Sequence, residues 1–267
     1  MKNKIGLAII TCNREDLFHQ AVAAIPEVDY NIVINDGKVL INKTDLAKIN
    51  LLVEHKINEG VGRSKNEALK LMMAEGCEHL FISEDDVSVI DKEVCEKYIR
   101  ASEISGIKHF NFSYHGPDNK DSAGNPNPRL KTKFKEFSLG FHFFLGGAFS
   151  YYHRDVIERA GYIDEKFKNF HEHVEHTYRI IKAGYHPPFW WFADLSESYK
   201  MLKDLDPDLS RSVIRKNKLF YDLRLRYYTR IFNKKLGLKL ENIPKHTESE
   251  VRQKLIEIQS KYGGGNE

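Results

Sequence analysis

Three consecutive acids, Glu84, Asp85 and Asp86, follow a short apolar run, Leu80–Ile82. Carboxylates stacked at the end of a buried strand repel one another and are costly to strip of water. A divalent cation relieves both problems, and hard oxygen donors suit Mg²⁺ or Mn²⁺. The same triplet would equally favour the positive end of a helix starting nearby. A second cluster runs His171-Glu172-His173-Val174-Glu175-His176. His173 and His176 lie one helical turn apart, as zinc ligands can. The run is not His-Glu-x-x-His, however, because Glu175 stands four places after His171. Asn35-Asp36-Gly37 reads as a turn, Gly146-Gly147 as a bulge or a close backbone approach, and Arg63 and Lys65 as a solvated first helical turn.

The elements that must position these residues alternate. Ile5–Ile10 is short, apolar and β-branched, as a buried strand is, and Glu15–Ile25 reads as a helix ended by Pro26. Strands are expected at Asn31–Ile34, Asn50–Glu54, His79–Ser83 and His109–Ser113, and helices at Arg63–Ala74 and Asp91–Ile104. Alternation of this kind predicts a parallel α/β sheet, whose ligands bind beyond the carboxyl ends of the strands. Thr11–Arg14, Asn35–Gly37 and Glu84–Asp86 all follow strands and should meet at that edge. Tyr114–Lys133 reads as a long loop, either a mobile lid or an excursion. Further on, strand-like aromatic sequence fills Phe134–Tyr152, helices are expected at Asp155–Ala160 and Glu172–Ala183, and a last strand at Pro188–Phe192. Ser210–Phe232 and Thr247–Tyr262 read as helices, the latter opened by a Thr247-x-x-Glu250 capping pattern.

Composition narrows the class. The 267 residues, 41% hydrophobic and 30% charged, suit one large globular domain with an appendage. The net charge of +3 is unevenly spread: residues 211–239 hold ten Lys/Arg against one acid, Asp222, leaving −6 elsewhere. That basic, aromatic stretch fits two pictures. Its apolar side packs on the main domain with the basic side in water, or it lies on an anionic membrane surface. No nucleic-acid-binding module accompanies the charge, so no nucleic-acid partner is expected. Three widely spaced cysteines, Cys12, Cys77 and Cys95, make no disulfide framework and fit a reducing cytosol. The expected location is cytoplasmic; only in the second picture does the chain also touch the inner face of the membrane through 211–239. No Gly-x-Gly-x-x-Gly follows a strand, which disfavours a dinucleotide-dependent dehydrogenase.

Several of these runs, in this order, resemble family 2-type glycosyltransferases of the GT-A fold over roughly residues 4–195. They are Thr11-Cys12-Asn13-Arg14 after the first strand, Asn35-Asp36-Gly37, Asn58 to Asn66, Glu84-Asp85-Asp86 in the place of an Asp-x-Asp motif, Gly146-Gly147-Ala148-Phe149, Gly161 to Glu165, and Glu172 to Arg179. The resemblance implies an α/β GT-A fold: a Rossmann-like nucleotide-binding, mixed central sheet flanked by helices, with a C-terminal helical extension. Residues 1–195 would be the catalytic domain (nucleotide-binding part about 1–113, acceptor-binding part about 134–195) and 196–267 the extension.

It further implies a metal-dependent, inverting hexosyl- or N-acetylhexosaminyl-transferase. Such an enzyme moves sugar from a UDP-sugar donor to a glycan or glycolipid acceptor in surface polysaccharide synthesis. Asp86, Glu84 and Asp194 would hold Mn²⁺ or Mg²⁺ against the diphosphate. Thr11, Asn13, Arg14, Asp36, Arg63, Asn66 and Asp85 would bind nucleotide, with Asp36 taking the uracil N–H. Gly146, Gly147 and Trp191 would meet the sugars. In one respect the chain departs from the family: His173 stands where an Asp commonly serves as base. A neutral imidazole can take a proton from a sugar hydroxyl; alternatively Glu172 is the base and His173 orients the acceptor. The rivals are a binding protein of the same fold without catalysis, and a nucleotidyltransferase. The latter would want a Gly-rich basic loop where Thr11–Arg14 stands.

Overall fold

The computed structural model describes residues 3–264. The strands are β1 (Ile5–Thr11), β2 (Tyr30–Asn35), β3 (Leu51–Glu54), β4 (His79–Glu84), β5 (Val87–Val89), β6 (His109–Asn111), β7 (Leu130–Phe134), β8 (Phe137–His142), β9 (Phe149–His153), β10 (Phe192–Leu195) and β11 (Leu202–Asp204). The helices are α1 (Glu15–Ala23), α2 (Lys43–Leu46), α3 (Val61–Ala74), α4 (Val94–Ser105), α5 (Arg154–Ala160), α6 (Glu172–Lys182), α7 (Ser198–Met201), α8 (Lys218–Leu236) and α9 (Glu248–Tyr262).

The main sheet has the order β3-β2-β1-β4-β9-β6. Its first four strands are parallel, while β9 runs antiparallel to both β4 and β6. The sheet is therefore mixed, as the resemblance implies, and not wholly parallel as alternation alone predicts. Its central strands are apolar on both faces because both faces are covered. Leu7, Ile9, Val33 and Phe81 join one core, and Ala8, Ile10, Ile32, Ile34, Leu80 and Ile82 join the other.

Three expectations shift. The stretch from Tyr114 to Lys133 is not all loop, since β7 begins at Leu130 and pairs with β8. The strand expected at Pro188–Phe192 starts at Phe192 instead, and a further strand, β11, follows it. Trp190 takes φ = +71°, and Trp191 N–H returns to the Pro188 carbonyl, so the chain turns before it extends. The basic helix starts at Lys218, where Asn217 caps it by accepting from Phe220 N–H at 3.2 Å, and it ends at Gly237 with φ = +72°. The Thr247–Glu250 capping box at the start of α9 is present.

The residues after 195 share the core of those before it. β11 pairs with β5, Val251, Leu255 and Ile258 of α9 enter one core, and Phe232 of α8 packs with Phe167, Phe189 and Phe192. Residues 265–267, the end of the expected extension, lie outside the described residues.

Candidate active site

Strand register brings the polar clusters to one edge. Thr11 stands opposite Asn35 and Ile10 opposite Glu84. Backbone bonds continue the ladder past the strand ends, from Asp36 N–H to the Thr11 carbonyl and from Asp85 N–H to the Ile10 carbonyl. The acidic tip of β4 is thus held against the carboxyl end of β1.

Within that tip Asp85 and Asp86 share a cation while Glu84 has another. Asp85 is fully buried, accepts from Thr11 Oγ1 at 2.6 Å, and pairs with the Arg14 guanidinium. The same guanidinium reaches Asp86 Oδ2 at 2.5 Å. Burial opposes ionisation of Asp86, but His115 and Arg14 beside it outweigh burial and hold its carboxyl well below the usual range. Glu84 turns the other way, to Lys65 Nζ at 2.7 Å.

Lys65 joins two halves of the site. It sits on the inward stripe of α3 with Ala68, Leu69 and Met72, and its ammonium is buried. Besides Glu84 it meets Glu172 Oε1 at 3.4 Å and donates to the Gly147 carbonyl at 2.8 Å. Glu172 opens α6 after His171, which takes φ = +60°. Its carboxylate also lies 2.9 Å from His173 Nδ1. Burial disfavours its charge, yet His173 and Lys65 overcome that and keep Glu172 well below the usual range. The His173 ring packs on Gly147, where a Cβ would come within 2.9 Å of Nδ1. At Gly146 a Cβ would stand 2.2 Å from the Phe112 carbonyl oxygen. Both glycines are demanded by packing within the chain.

Other expected residues have different occupations. Asp36 is saturated: His55 Nδ1 (2.7 Å), Glu59 N–H (2.6 Å), Asn58 Nδ2 (2.9 Å) and Gly60 N–H (2.8 Å) fill its carboxylate. Four donors exhaust two carboxylate oxygens, so Asp36 clamps the 55–60 turn and has no lone pair left for a base. Asn13 takes φ = +56° and accepts from Lys38 N–H at 2.8 Å, which ties the two loops together. Arg63 pairs with Glu59 at 2.5 Å and lies 3.9 Å from Glu165, to which Asn66 donates at 2.8 Å. Trp191 is buried; Arg129 covers its ring at 3.9 Å and its Nε1–H donates to the His246 carbonyl. No open face remains for a sugar. Asp194 is filled by Tyr98, Ser113, Ser198 and its neighbour Leu195 N–H. With Glu84 on Lys65, the three expected metal ligands do not converge. Nor do the histidines at the start of α6 and within it: His171 bonds Thr229 and His176 bonds the Gly161 carbonyl.

Among the described residues no group of three or more His, Cys, Asp or Glu is set to hold a metal ion. One pair comes near. Asp86 Oδ1 and His115 Nε2 are both buried without a hydrogen-bond partner and stand 3.5 Å apart. Asp204 Oδ1 lies 3.7 Å from the same nitrogen. Two carboxylates and an imidazole are donors that suit Mn²⁺, so these residues fit a cation better than the expected trio. Sequence reasoning missed Lys65, His115 and Asp204. Lys65 carried a signal, a lysine in register with the apolar stripe of its helix. The other two carried none, because loop 114–119 and β11 meet only in three dimensions, where Gly116 N–H bonds Asp204.

No protein-family model and no curated protein sequence matches the chain. Among solved structures it is similar to S. aureus TarS 1–349, at 16% identity over 66% of this chain and 55% of that one, TM-score 0.46. It is also similar to a Drosophila β-1,4-galactosyltransferase 7 solved with manganese, UDP-Gal and xylobiose (13% identity, 68% and 62% covered, TM-score 0.42). A third is a Pyrobaculum calidifontis mannosyltransferase with GDP-Man and Mn²⁺ (13% identity, 61% and 48% covered, TM-score 0.42). The chain spans between 48% and 62% of the length of these solved chains. Its own fold is α/β, a mostly parallel mixed sheet between helices with the antiparallel β9 beside β4.

Proposed function

We propose that this protein is a metal-dependent, inverting glycosyltransferase that moves a hexosyl or N-acetylhexosaminyl group from a UDP-sugar to a glycan or glycolipid acceptor in surface polysaccharide synthesis. The observation that carries this reading is the Lys65 bridge, which joins the acidic tip of β4 to the Glu172–His173 start of α6. Leaving-group charge and acceptor deprotonation need machinery at one place, and that bridge supplies it.

Arg14 and Lys65 are cations fixed in advance around the tip, which suits them to oppose negative charge developing on a departing diphosphate. Asp86, with His115 and Asp204, would hold Mn²⁺ or Mg²⁺, whose chemistry is Lewis-acid stabilisation of that diphosphate. His173 is the base in this reading. Its Nδ1 faces Glu172, so the proton rests there and Nε2 is left to accept one from the acceptor hydroxyl. Glu172, kept ionised, positions the ring and steadies the imidazolium that forms.

UDP release from a panel of UDP-sugars, with Mn²⁺ and with chelator, tests the proposal. Slow, Mn²⁺-dependent release that falls about 10²- to 10⁴-fold in His173→Gln, with donor affinity retained, is the expected result. Donor binding without any turnover would favour a pure binding protein.

A further inference from the structure

We infer that the outward face of α8 docks on an anionic lipid bilayer. Leu219, Phe220, Leu223 and Tyr227 are 67%, 59%, 52% and 60% exposed. At about 100° per residue, these four fall in one stripe roughly 100° wide. Arg230 and Lys234 lie within the same sector, and Arg224 and Arg226 flank it. This stripe is not the packing face. The opposite side seats α8, with Tyr221 and Tyr228 on Phe170 (5.2 and 5.7 Å between ring centres) and Phe232 on Phe167 (6.4 Å).

The helix carries six Lys/Arg against Asp222, a net +5. Among the described residues only Lys235 of the six is in an ion pair, with Asp164 and Glu175. Four large apolar side chains interleaved with uncompensated cations describe an interfacial helix: the apolar groups enter the headgroup boundary and the cations meet lipid phosphates. A second copy is a poorer occupant, since a two-fold contact would set +5 against +5. The helix is seated beside the site, because Thr229 Oγ1 bonds His171 Nε2 at 2.8 Å, one residue before Glu172. If the proposed reaction holds, the acceptor side of the site faces the membrane plane.

The test is co-sedimentation of the full chain with phosphatidylglycerol vesicles and with phosphatidylcholine vesicles, needing no catalysis and so separable from failure of the functional reading. We expect binding to the anionic vesicles, weakened tenfold or more in F220S/L223S/Y227S. In R224E/R226E we expect a fall of at least fivefold per charge, since each cation near the surface is worth about fivefold. The charge variant decides the matter if the apolar one fails to fold. No binding to phosphatidylglycerol at low salt, or binding by both variants as tight as that of the unmodified chain, overturns the inference. So does a dimer of the unbound protein that the apolar variant dissolves, because the stripe would then serve a second copy.

Discussion

Asp86 and Asp194 are both buried carboxylates at the ends of strands in this sheet system, yet they are held in opposite ways. Asp194 accepts from four donors, two of them backbone N–H groups, and none is a cation. Burial wins there and lifts its carboxyl to about 7 in spite of those donors. Asp86 has Arg14 on one oxygen and, on the other, an orphaned edge facing His115. Its charge persists because countercharges persist. The saturated carboxylate is scaffold: it welds β10 to α4 and to the chain after β6. The charged, incompletely bonded one is where a ligand has something to do. Asp36 belongs with Asp194 in this respect, although the family resemblance implied that it binds nucleotide.

The contrast breaks most sharply at Asp86. In Asp86→Asn, UDP release from the donor should fall about a thousandfold or more, and its response to Mn²⁺ should vanish; full turnover would remove the cation from Asp86. Next comes Lys65→Met. It strands Glu84 and Glu172 without their buried cation, and urea unfolding should show a loss of about 3 kcal/mol, the low end for a broken buried pair because Glu172 keeps His173. An unchanged midpoint would mean that the bridge contributes nothing to stability.

A smaller effect separates scaffold from site by pH. A carboxyl raised to about 7 in the folded state contributes stability that is complete below its unfolded pKa of roughly 3.9 and is lost as pH rises through 7. Stability should therefore decline by on the order of 2 kcal/mol on account of Asp194 between pH 5 and 8, and Asp194→Asn should reduce the total decline, to which burial-raised Asp85 also contributes, while the Mn²⁺ response of turnover stays as it was. A slope undiminished by the substitution assigns the titration to another group. The smallest effect is His55→Gln. His55 bridges Asp36 and Glu67, both at 2.7 Å, and its removal should cost about 1 kcal/mol in urea unfolding. Burial works against the charge on His55, but these two carboxylates raise its pKa overall, so its contribution is present at low pH and fades above neutrality. A loss of metal response in this variant would mean that Asp36 works with Asp86 after all.

Much of the architecture could be read from local pattern. The β-branched runs, the Gly-closed helices and the Thr247 capping box all have short-range causes, and strand and helix ends moved by only a few residues. The exceptions have physical reasons as well. Strand β10 shifted because Trp190 occupies a backbone region that aromatic residues rarely choose. The basic helix started late because Asn217 offered a cap that competed with simple extension of the charged run.

Residue type and order along the chain determined that the acids, a turn and the polar Thr11–Arg14 segment would arrive at one edge of a sheet, since strand alternation leaves no other place for them. Which carboxylate would stay charged, which would be silenced by four donors, and which lysine would link the two halves was decided only by tertiary structure. Those outcomes depend on the distance between groups from distant parts of the chain and on how much water remains between them, and neither is a local property.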